Sequence, residues 1–268
     1  VANSIAGFAT LGGAAAYIGQ VKKDQLGDVF RTDMQSLGVD IRLLPAADGS
    51  PTARCHVLID ADGQRTMQTY LGACTELGVA DVTTATVGAP TVILLEGYVW
   101  DIAEGPALAT AAIEIARANG SKVALSLSDS FCVQRHREAF HGVVKNGVDI
   151  VVADEDEVRE LLQTNSYEET MSALEGYDNL FATTRSDKGS VVKHGDDIVL
   201  QAATPVESIV DSTGAGDAYT AGFLYGWTQD WSLKECAELG TYCATQLIQQ
   251  VGGRIEPGLM EQYIASNR

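Results

Sequence analysis

From residue 91 onward the chain alternates strand-like and helix-like segments, and this alternation restricts the fold more than any other feature. The predicted strands are 91–96, 122–128, 149–153 and 180–184, and the predicted helices between them are 103–119, 133–144 and 156–163. Strands that alternate with helices in this way indicate a mainly parallel sheet covered by helices on both faces. We expect a single α/β domain over 1–268, because 268 residues suffice for one large core.

Two hairpins and further helices complete the expected layout. Residues 54–60 alternate, with Cys55, Val57 and Ile59 on one face, and the chain returns over 65–71 after a turn at Asp62–Gly63. Such a strand pair indicates an appended flap, which we place at about 41–72. The other predicted elements are helices at 1–11, 24–37, 216–228 and 233–251, a short strand at 14–18, and a hairpin over 190–201.

Composition argues against several classes of protein. A formal net charge of −18 disfavours non-specific binding to nucleic acid or to an anionic membrane. The five cysteines form no CxxC pair, so neither a disulfide framework nor a zinc site is indicated, and we expect a reducing cytoplasm. The longest apolar runs are too short to span a bilayer. The chain opens without Met on an apolar, helix-like pattern, so we expect further residues before Val1.

The most informative segment runs from Asp211 to Asp217 and reads DSTGAGD. Glycines permit unusual dihedral angles and close approach by a ligand. The successive amides from Gly214 through Ala215 to Asp217 can converge on an anion at a helix N-terminus. Asp217 would lie in the first helical turn, where the helix dipole favours an ionised carboxylate that can take a proton from a substrate hydroxyl. For Gly-x-Gly-Asp alone, an ordinary acidic helix start is an equal alternative.

The full segment resembles the C-terminal signature of the ribokinase-like (PfkB) kinases, usually written DTxGAGD, with Ser212 in place of threonine. The resemblance extends in order along the whole chain. It implies a ribokinase-like three-layer α/β/α sandwich with a mainly parallel central sheet and a small β lid. It also implies transfer of the γ-phosphate of ATP to an alcohol, with Asp217 as general base and Gly214, Ala215 and Gly216 in the anion hole. The chain lacks a GxxxxGK[ST] P-loop and a GxGxxG loop after a strand, which argues against a dinucleotide oxidoreductase.

Four positions resemble acceptor-binding parts of the family. Asn3 is similar to the asparagine of an early glycine-glycine signature, whose glycines we expect before Val1. Asp24 lies in a segment similar to G-x-V-x-x-D-x-x-G, where it is either near the acceptor or a helix N-cap. The flap resembles the family's lid strands, in which Tyr70 and Leu71 occupy positions that touch the acceptor. Lids in this family often meet a partner's lid, so a homodimer through the lid is implied.

Residues 154–157 resemble the family's N-x-x-E motif, with Asp154 in place of asparagine and Glu157 at the glutamate. In the family this glutamate organises magnesium and its waters, which suits hard oxygen ligands. The resemblance therefore implies that Glu157 binds magnesium through water. The alternative is a solvated acidic helix start.

The nucleotide site is implied by two segments. Residues 184–189 resemble T-x-G-x-x-G, with Ser186 where glycine is usual. The implied nucleotide-binding residues are Thr184, Arg185, Gly189, Thr213, Gly214 and Gly216. Arg185 offers a bidentate fork for phosphate, although an exposed arginine is more often merely solvated.

Two further features are implied near the C-terminus. Asp211 and Thr213 match positions that in many relatives form a potassium site with the backbone near 252–253. The helix 233–251 would line the adenine pocket, and Tyr242, Cys243 and Gln246 are candidates there. For these three residues we favour core packing.

The acceptor is less well defined. Residues 94–101 and 64–73 look most like bacterial adenosine kinases and adenosine-kinase-like sugar kinases. Tyr98 and Trp100 could stack on a purine or pack in the core. The leading hypothesis is a hydroxyl of adenosine or a similar riboside, and the alternative is a free sugar such as ribose or a fructose-like ketose. A catalytically silent nucleoside- or sugar-binding relative is a third possibility, against which the intact GAGD argues.

Overall fold

The computed structural model describes residues 1–59 and 65–266. The helices in these ranges are α1 (Ala2–Thr10), α2 (Gln25–Ser36), α3 (Thr84–Val87), α4 (Gly105–Asn119), α5 (Ser130–Gly147), α6 (Glu155–Leu162), α7 (Tyr167–Ala173), α8 (Ala215–Thr228), α9 (Leu233–Leu247) and α10 (Leu259–Ser266). The strands are β1 (Ala16–Tyr17), β2 (Asp40–Ile41), β3 (Arg54–Ile59), β4 (Arg65–Tyr70), β5 (Val92–Glu96), β6 (Lys122–Ser126), β7 (Ile150–Asp154), β8 (Leu180–Thr184), β9 (Ser190–His194) and β10 (Asp197–Gln201).

A six-stranded sheet in the order β10-β9-β8-β7-β6-β5 forms the centre of the fold. Strands β5 to β8 are parallel, and β9 and β10 are antiparallel to their neighbours. The parallel strands end at Glu96, Ser126, Asp154 and Thr184, which therefore lie at one edge of the sheet. In open α/β sheets this carboxyl edge is where ligands bind.

Side chains of the central strands alternate between two apolar layers. In β7, Val151 packs with Leu108 of α4, Phe140 of α5 and other residues on that face. Ile150 and Val152 point the other way and pack in the cluster that contains Phe223 of α8. Both faces are thus covered by helices, and the predicted three-layer α/β/α sandwich with a mainly parallel sheet is confirmed.

The predicted flap hairpin is present as β3 and β4. The pairing runs from Arg54 opposite Tyr70 to Ile59 opposite Arg65, while the predicted turn at 62–63 lies outside the described residues. Val57 and Met67 stand opposite each other and are 40% and 61% exposed. The hairpin therefore leaves this apolar pair uncovered in the single chain.

Several boundaries differ from those predicted. Helix α5 starts three residues early, because Asp129 accepts the Cys132 amide at 2.7 Å and caps it at Ser130. The strand predicted over 14–18 is limited to Ala16–Tyr17, which pairs with the unpredicted β2. Helices α7 and α10 were not predicted. In the ranges that the structure covers, no helix is both long and apolar enough to cross a membrane.

Candidate active site

The turn before α8 presents open backbone amides. Gly214 is the N-cap, with φ = 79° and ψ = 9° in the left-handed region. The helix begins with the hydrogen bond that the Ala218 amide donates to the Gly214 carbonyl at 2.8 Å. The amides of Gly216 and Asp217 come before Ala218 in the chain and take no part in that bond. The amide of Ala215 turns back to Ser212 at a longer 3.3 Å. Amides at a helix start attract negative charge, so the turn is chemically suited to an anion.

Asp217 is held by two consecutive residues of α1. The Ser4 hydroxyl donates a short hydrogen bond to Oδ1, and the Asn3 amide donates to Oδ2 at 3.3 Å. A Cβ built on Gly253 would lie 3.0 Å from Nδ2 of Asn3, so this amide also borders the 252–253 turn. Asp217 keeps 29% of its side chain exposed. Asn3, implied as an acceptor contact, thus lies directly beside the predicted base.

Glu96 is a candidate site residue that the sequence analysis missed. The Val1 nitrogen lies 2.8 Å from Glu96 Oε1 and 3.5 Å from Asp217 Oδ1, so both carboxylates contact one nitrogen. Glu96 is the last residue of β5 and is 33% exposed through its side chain. The sequence signal that could have identified Glu96 is a carboxylate at the carboxyl end of a predicted parallel strand. Its closeness to Asp217 depends on tertiary structure.

Asp211 joins the loop before α8 to the turn after α9. Its Oδ1 accepts the Thr213 amide at 2.9 Å, and its Oδ2 accepts the Gly252 amide at 3.1 Å. Only 8% of Asp211 is exposed. The structure thus brings together the segments implied for a potassium loop, and the ion itself stays a prediction.

Glu157 and Asp154 cap the start of α6 reciprocally. Asp154 Oδ1 accepts the Glu157 amide at 2.8 Å, and Glu157 Oε2 accepts the Asp154 amide at 2.9 Å. Only 7% of Glu157 is exposed, so it does not belong to a solvated acidic helix start. Burial, reinforced by the negative charge of Asp154, raises the pKa of Glu157 to about 8. A nearby cation would stabilise this buried carboxylate, so the residues fit a magnesium ion.

Direct ligation of that ion by side chains alone is not favoured. Within 1–59 and 65–266, no group of three or more His, Cys, Asp or Glu could hold a metal ion. Magnesium commonly keeps several waters and uses one or two carboxylates. The arrangement is consistent with the implied contact of Glu157 through water.

Arg185 is engaged within the protein. Its Nε donates to Glu155 Oε2 at 2.9 Å, and its guanidinium stacks on Tyr167, with 3.8 Å between Cζ and the ring centroid. Only 15% of its side chain is exposed, so Arg185 is not a merely solvated arginine. Thr184 pairs with Asp154 across adjacent strands, which places the nucleotide segment beside the acidic motif. A phosphate contact of Arg185 stays a prediction.

Asp24 caps α2. Its Oδ1 accepts the Gly27 amide at 2.8 Å and the Thr52 hydroxyl at 2.7 Å, and its Oδ2 accepts the Thr52 amide at 2.9 Å. The bonds from Thr52, and then that from Gly27, lower the pKa of Asp24. Of the two readings of this residue, the N-cap is confirmed and the acceptor contact stays a prediction.

The return strand of the hairpin ends at Tyr70, just before Leu71. The Tyr70 ring lies 4.9 Å from the Arg54 guanidinium and is 40% exposed, and Leu71 is 48% exposed. The Leu71 carbonyl accepts the Cys74 thiol at 2.9 Å. Burial, and next the charge of Glu96, raise the pKa of Cys74. An acceptor contact of Tyr70 and Leu71 stays a prediction.

Two aromatic side chains are open to solvent at the carboxyl edge of the sheet. Tyr98 is 42% exposed and its hydroxyl donates to Asp129 Oδ2 at 2.5 Å. Phe131, two residues after Asp129, is 71% exposed in the first turn of α5. The sequence analysis missed Phe131, because it started α5 at 133 and so left this position outside the helix.

Other aromatic and apolar candidates belong to the core. Trp100 is 6% exposed and packs edge-on against Phe140, with 5.0 Å between ring centroids. Cys243 is fully buried, and Tyr242 packs against the same cluster, which agrees with the favoured reading of both. Gln246 is half-buried.

Comparison with known proteins places this arrangement in a family. Residues 1–257 match the model of the pfkB family carbohydrate kinases. The chain is 42% identical to adenosine kinase from Sinorhizobium meliloti, with 99% of this chain and 81% of that structure covered and a TM-score of 0.95. It is 40% identical to a probable sugar kinase from Rhizobium etli CFN 42, with the same coverage and TM-score. It is 26% identical to the ATP-dependent ribose-1-phosphate kinase of Halopiger xanaduensis over 265 residues, 96% of this chain and 81% of that protein.

These matches confirm the predicted ribokinase-like fold and the predicted class of enzyme. Kinases of this family use ATP and Mg²⁺ and transfer phosphate to an alcohol group. The chain belongs to the pfkB family of carbohydrate kinases and is a phosphotransferase with an alcohol group as acceptor.

Proposed function

We propose that this kinase transfers the γ-phosphate of ATP to a hydroxyl of a nucleoside similar to adenosine. The observation that carries the proposal is the Asp217 carboxylate beside the open amides of Gly216 and Asp217 at the start of α8. Phosphoryl transfer to an alcohol is served by a base beside an anion-binding turn, because the attacking oxygen must lose a proton while negative charge remains on the transferred group.

Asp217 acts as the general base in this proposal. It takes the proton of the acceptor hydroxyl as that oxygen bonds to the γ-phosphorus and the bond from the phosphorus to the bridging oxygen of ADP breaks. The amides of Gly216 and Asp217 stabilise the negative charge on the transferred group. A positioned base contributes typically about 10²–10⁴-fold to the rate. Gly214 and Ala215 shape the turn that presents these amides.

Glu157 is the residue proposed to hold magnesium through water, and the ion would supply positive charge to the phosphates when bound. Thr184, Arg185 and Gly189 are proposed to border the nucleotide, since Thr184 ends β8 at the carboxyl edge of the sheet and the other two follow it. Potassium is proposed near Asp211 and Thr213, where it would order the loop before α8.

A nucleoside acceptor is supported by the exposed aromatic side chains Tyr98 and Phe131. Exposed aromatic rings at a ligand-binding edge suit the flat face of a base, because stacking buries large apolar area. The 42% identity to an adenosine kinase points the same way. We therefore assign the base side of the acceptor to this pair and the hydroxyl side to Asn3 and Asp217.

A free sugar is the second candidate, and Glu96 favours it. A partly exposed carboxylate beside the base suits the adjacent hydroxyls of ribose or a fructose-like ketose. The 40% identity to a probable sugar kinase is nearly as high as that to the adenosine kinase.

The purified protein should be tested with ATP and Mg²⁺ against adenosine, inosine, ribose and fructose, with each phosphorylated product identified by mass spectrometry. We expect turnover of adenosine or a close riboside. Turnover of sugars without any nucleoside would overturn the nucleoside assignment and favour the second candidate. Asp217→Asn should abolish turnover of whichever acceptor is found while leaving ligand binding measurable by calorimetry. A third outcome, binding without turnover in the unmodified protein, would indicate a silent relative.

The β3–β4 hairpin is proposed to act as a lid and to pair with the lid of a second copy. Two-stranded sheets are marginal by themselves, and the Val57–Met67 pair is uncovered. Light scattering should give a dimer that Val57→Asp dissociates. Thr66→Asp, on the opposite face of the hairpin, is the matched control and should leave the dimer intact. A monomer in the unmodified protein would contradict the pairing.

A further inference from the structure

We propose that Ser4 is a positioning residue for the base of the reaction, whose carboxylate it holds in one orientation. This inference rests on the proposed role of Asp217. The observation behind it is the short hydrogen bond from the Ser4 hydroxyl to Asp217 Oδ1. Ser4 is 3% exposed, so its hydroxyl has little access to water as an alternative partner.

The packing of α1 against α8 places Ser4 at this position. Gly7 lies one turn after Ser4, and a Cβ built on it would lie 2.9 Å from Cβ of Ala221. Ala221 in turn lies one turn after Asp217 on α8. Residues three and four apart share a helix face, so the close contact at Gly7 and Ala221 brings Ser4 to Asp217 one turn earlier. The hydrogen bond thus depends on a close approach of two helices.

The two oxygens of Asp217 have different surroundings. Oδ1 accepts the short bond from Ser4, whereas Oδ2 accepts only the longer 3.3 Å bond from Asn3. A hydroxyl that donates to one oxygen fixes the carboxylate plane, and the weakly held Oδ2 is then the oxygen that receives the acceptor proton. After that transfer Ser4 still donates to Oδ1, which has become a carbonyl oxygen. The bond is strongest while the carboxylate is charged.

Ser4 therefore sets the orientation of the carboxylate. Loss of its hydroxyl should slow the chemical step and leave substrate binding nearly unchanged, because the Oδ2 oxygen is then aimed less well at the acceptor proton. Glu96 on β5, which contacts the same Val1 nitrogen as Asp217, remains in the variant.

The test is the steady-state kcat and KM of Ser4→Ala and Ser4→Cys. We expect Ser4→Ala to lower kcat about tenfold and to leave the KM for ATP and for the acceptor within twofold, a split that a merely structural role would not give. The kcat of the cysteine variant, whose thiol is a weaker donor, should lie between those of the alanine variant and the unmodified protein. Thr10→Val is the matched control on α1, since the Thr10 hydroxyl donates to the Ala6 carbonyl, and its kcat should be unchanged.

If neither Ser4 variant lowers kcat relative to Thr10→Val, Ser4 has only a packing role. If Ser4→Ala does not fold, as judged by circular dichroism, the kcat and KM of Ser4→Cys alone decide. Asp217→Asn separates this failure from failure of the proposed function. Turnover that survives in Asp217→Asn refutes the base itself, whereas loss of turnover there with neutral Ser4 variants refutes only the positioning role.

Discussion

Gly214 approaches Gly253 so closely that a side chain at position 214 would crowd it. A Cβ built on Gly214 would lie 3.0 Å from Cα and 3.1 Å from O of Gly253, and the φ of Gly214 is +79°. Gly216 is different, because in the described part of the chain no heavy atom lies within 4 Å of its Cβ position apart from its chain neighbours and the backbone of its own helix. Of the two glycines in GAGD, Gly214 is required by the fold of the loop, and Gly216 leaves space above the amides.

Alanine at positions 214 and 216 should therefore have opposite effects on stability. Gly214→Ala should destabilise the protein by at least about 1–2 kcal/mol through its left-handed conformation, and by more through the contact with Gly253. Gly216→Ala should keep or raise stability, because alanine favours a helix over glycine by up to about 1 kcal/mol. The added methyl group would occupy the space proposed for the transferred phosphate, so kcat/KM should fall by about 100-fold or more. Urea denaturation and steady-state kinetics check both, and a fully active Gly216→Ala would contradict the anion hole.

Glu157 should make stability depend on pH. Its pKa is raised to about 8 in the folded protein, so the folded chain keeps a proton that the unfolded chain loses near pH 4.5. Stability from this group is therefore fully present below about pH 4.5 and is lost as pH rises through about 8. Glu157→Gln removes the titration, so the variant should lose less stability than the unmodified protein between pH 5.5 and 8.5. Urea denaturation at the two pH values measures the difference.

We expect added Mg²⁺ to stabilise the protein through the Glu157 carboxylate. Added Mg²⁺ should raise the thermal midpoint of the unmodified protein more at pH 8.5 than at pH 5.5, since only the ionised carboxylate attracts the ion. Glu157→Gln should weaken this effect and lower kcat/KM by about 10–100-fold. Asp156→Asn is the control, because Asp156 lies on the same helix with 80% of its side chain exposed. Equal magnesium responses in both variants would argue against an ion at Glu157.

Substitution of Glu96 should weaken binding of the acceptor and leave binding of the nucleotide unchanged. Its carboxylate contacts the same Val1 nitrogen as Asp217 and lies at the end of β5. Glu96→Gln should raise the KM for the acceptor by about tenfold, as expected for loss of one charged hydrogen bond, and leave the KM for ATP unchanged. Glu114→Gln, on the exposed face of α4, is the control. A change confined to the KM for ATP would place Glu96 elsewhere in the mechanism.

The features that could be predicted from the sequence consist of residues that are contiguous in the chain. The loop before Asp217 could be predicted because its glycines, its helix start and its carboxylate are contiguous. The central strands could be predicted because each is a short apolar run. Glu96 and Ser4 could not be assigned, because each reaches Asp217 only after β5, α1 and α8 have packed together.

Two other differences have separate physical causes. Helix α7 was missed because Tyr167–Ala173 is short and lacks a clear apolar period, and it is held by the Ser166 cap, which accepts the Glu169 amide. Arg185 could be read only as a phosphate contact or a solvated side chain, because neither Glu155 nor Tyr167 is near it in sequence. A weak local pattern accounts for the first gap in the prediction, and partners that are distant in sequence account for the second.

Ser186 offers a test of the nucleotide segment that does not depend on the acceptor. It adopts φ = 49°, in the left-handed region, at the position where the family signature has glycine. A non-glycine residue in that region costs roughly 1–2 kcal/mol, and glycine avoids this strain at an entropic cost of about half to one kcal/mol. Ser186→Gly should therefore raise the thermal midpoint slightly and leave turnover intact.

Gly189→Ala should lower the thermal midpoint, because its Cβ would lie 1.9 Å from the Gln201 carbonyl oxygen. Asp230→Gly, at φ = 57° outside this segment, is the matched control for the strain effect alone. If Ser186→Gly lowered the midpoint while Asp230→Gly raised it, the Ser186 side chain would have a stabilising contact that outweighs its backbone strain.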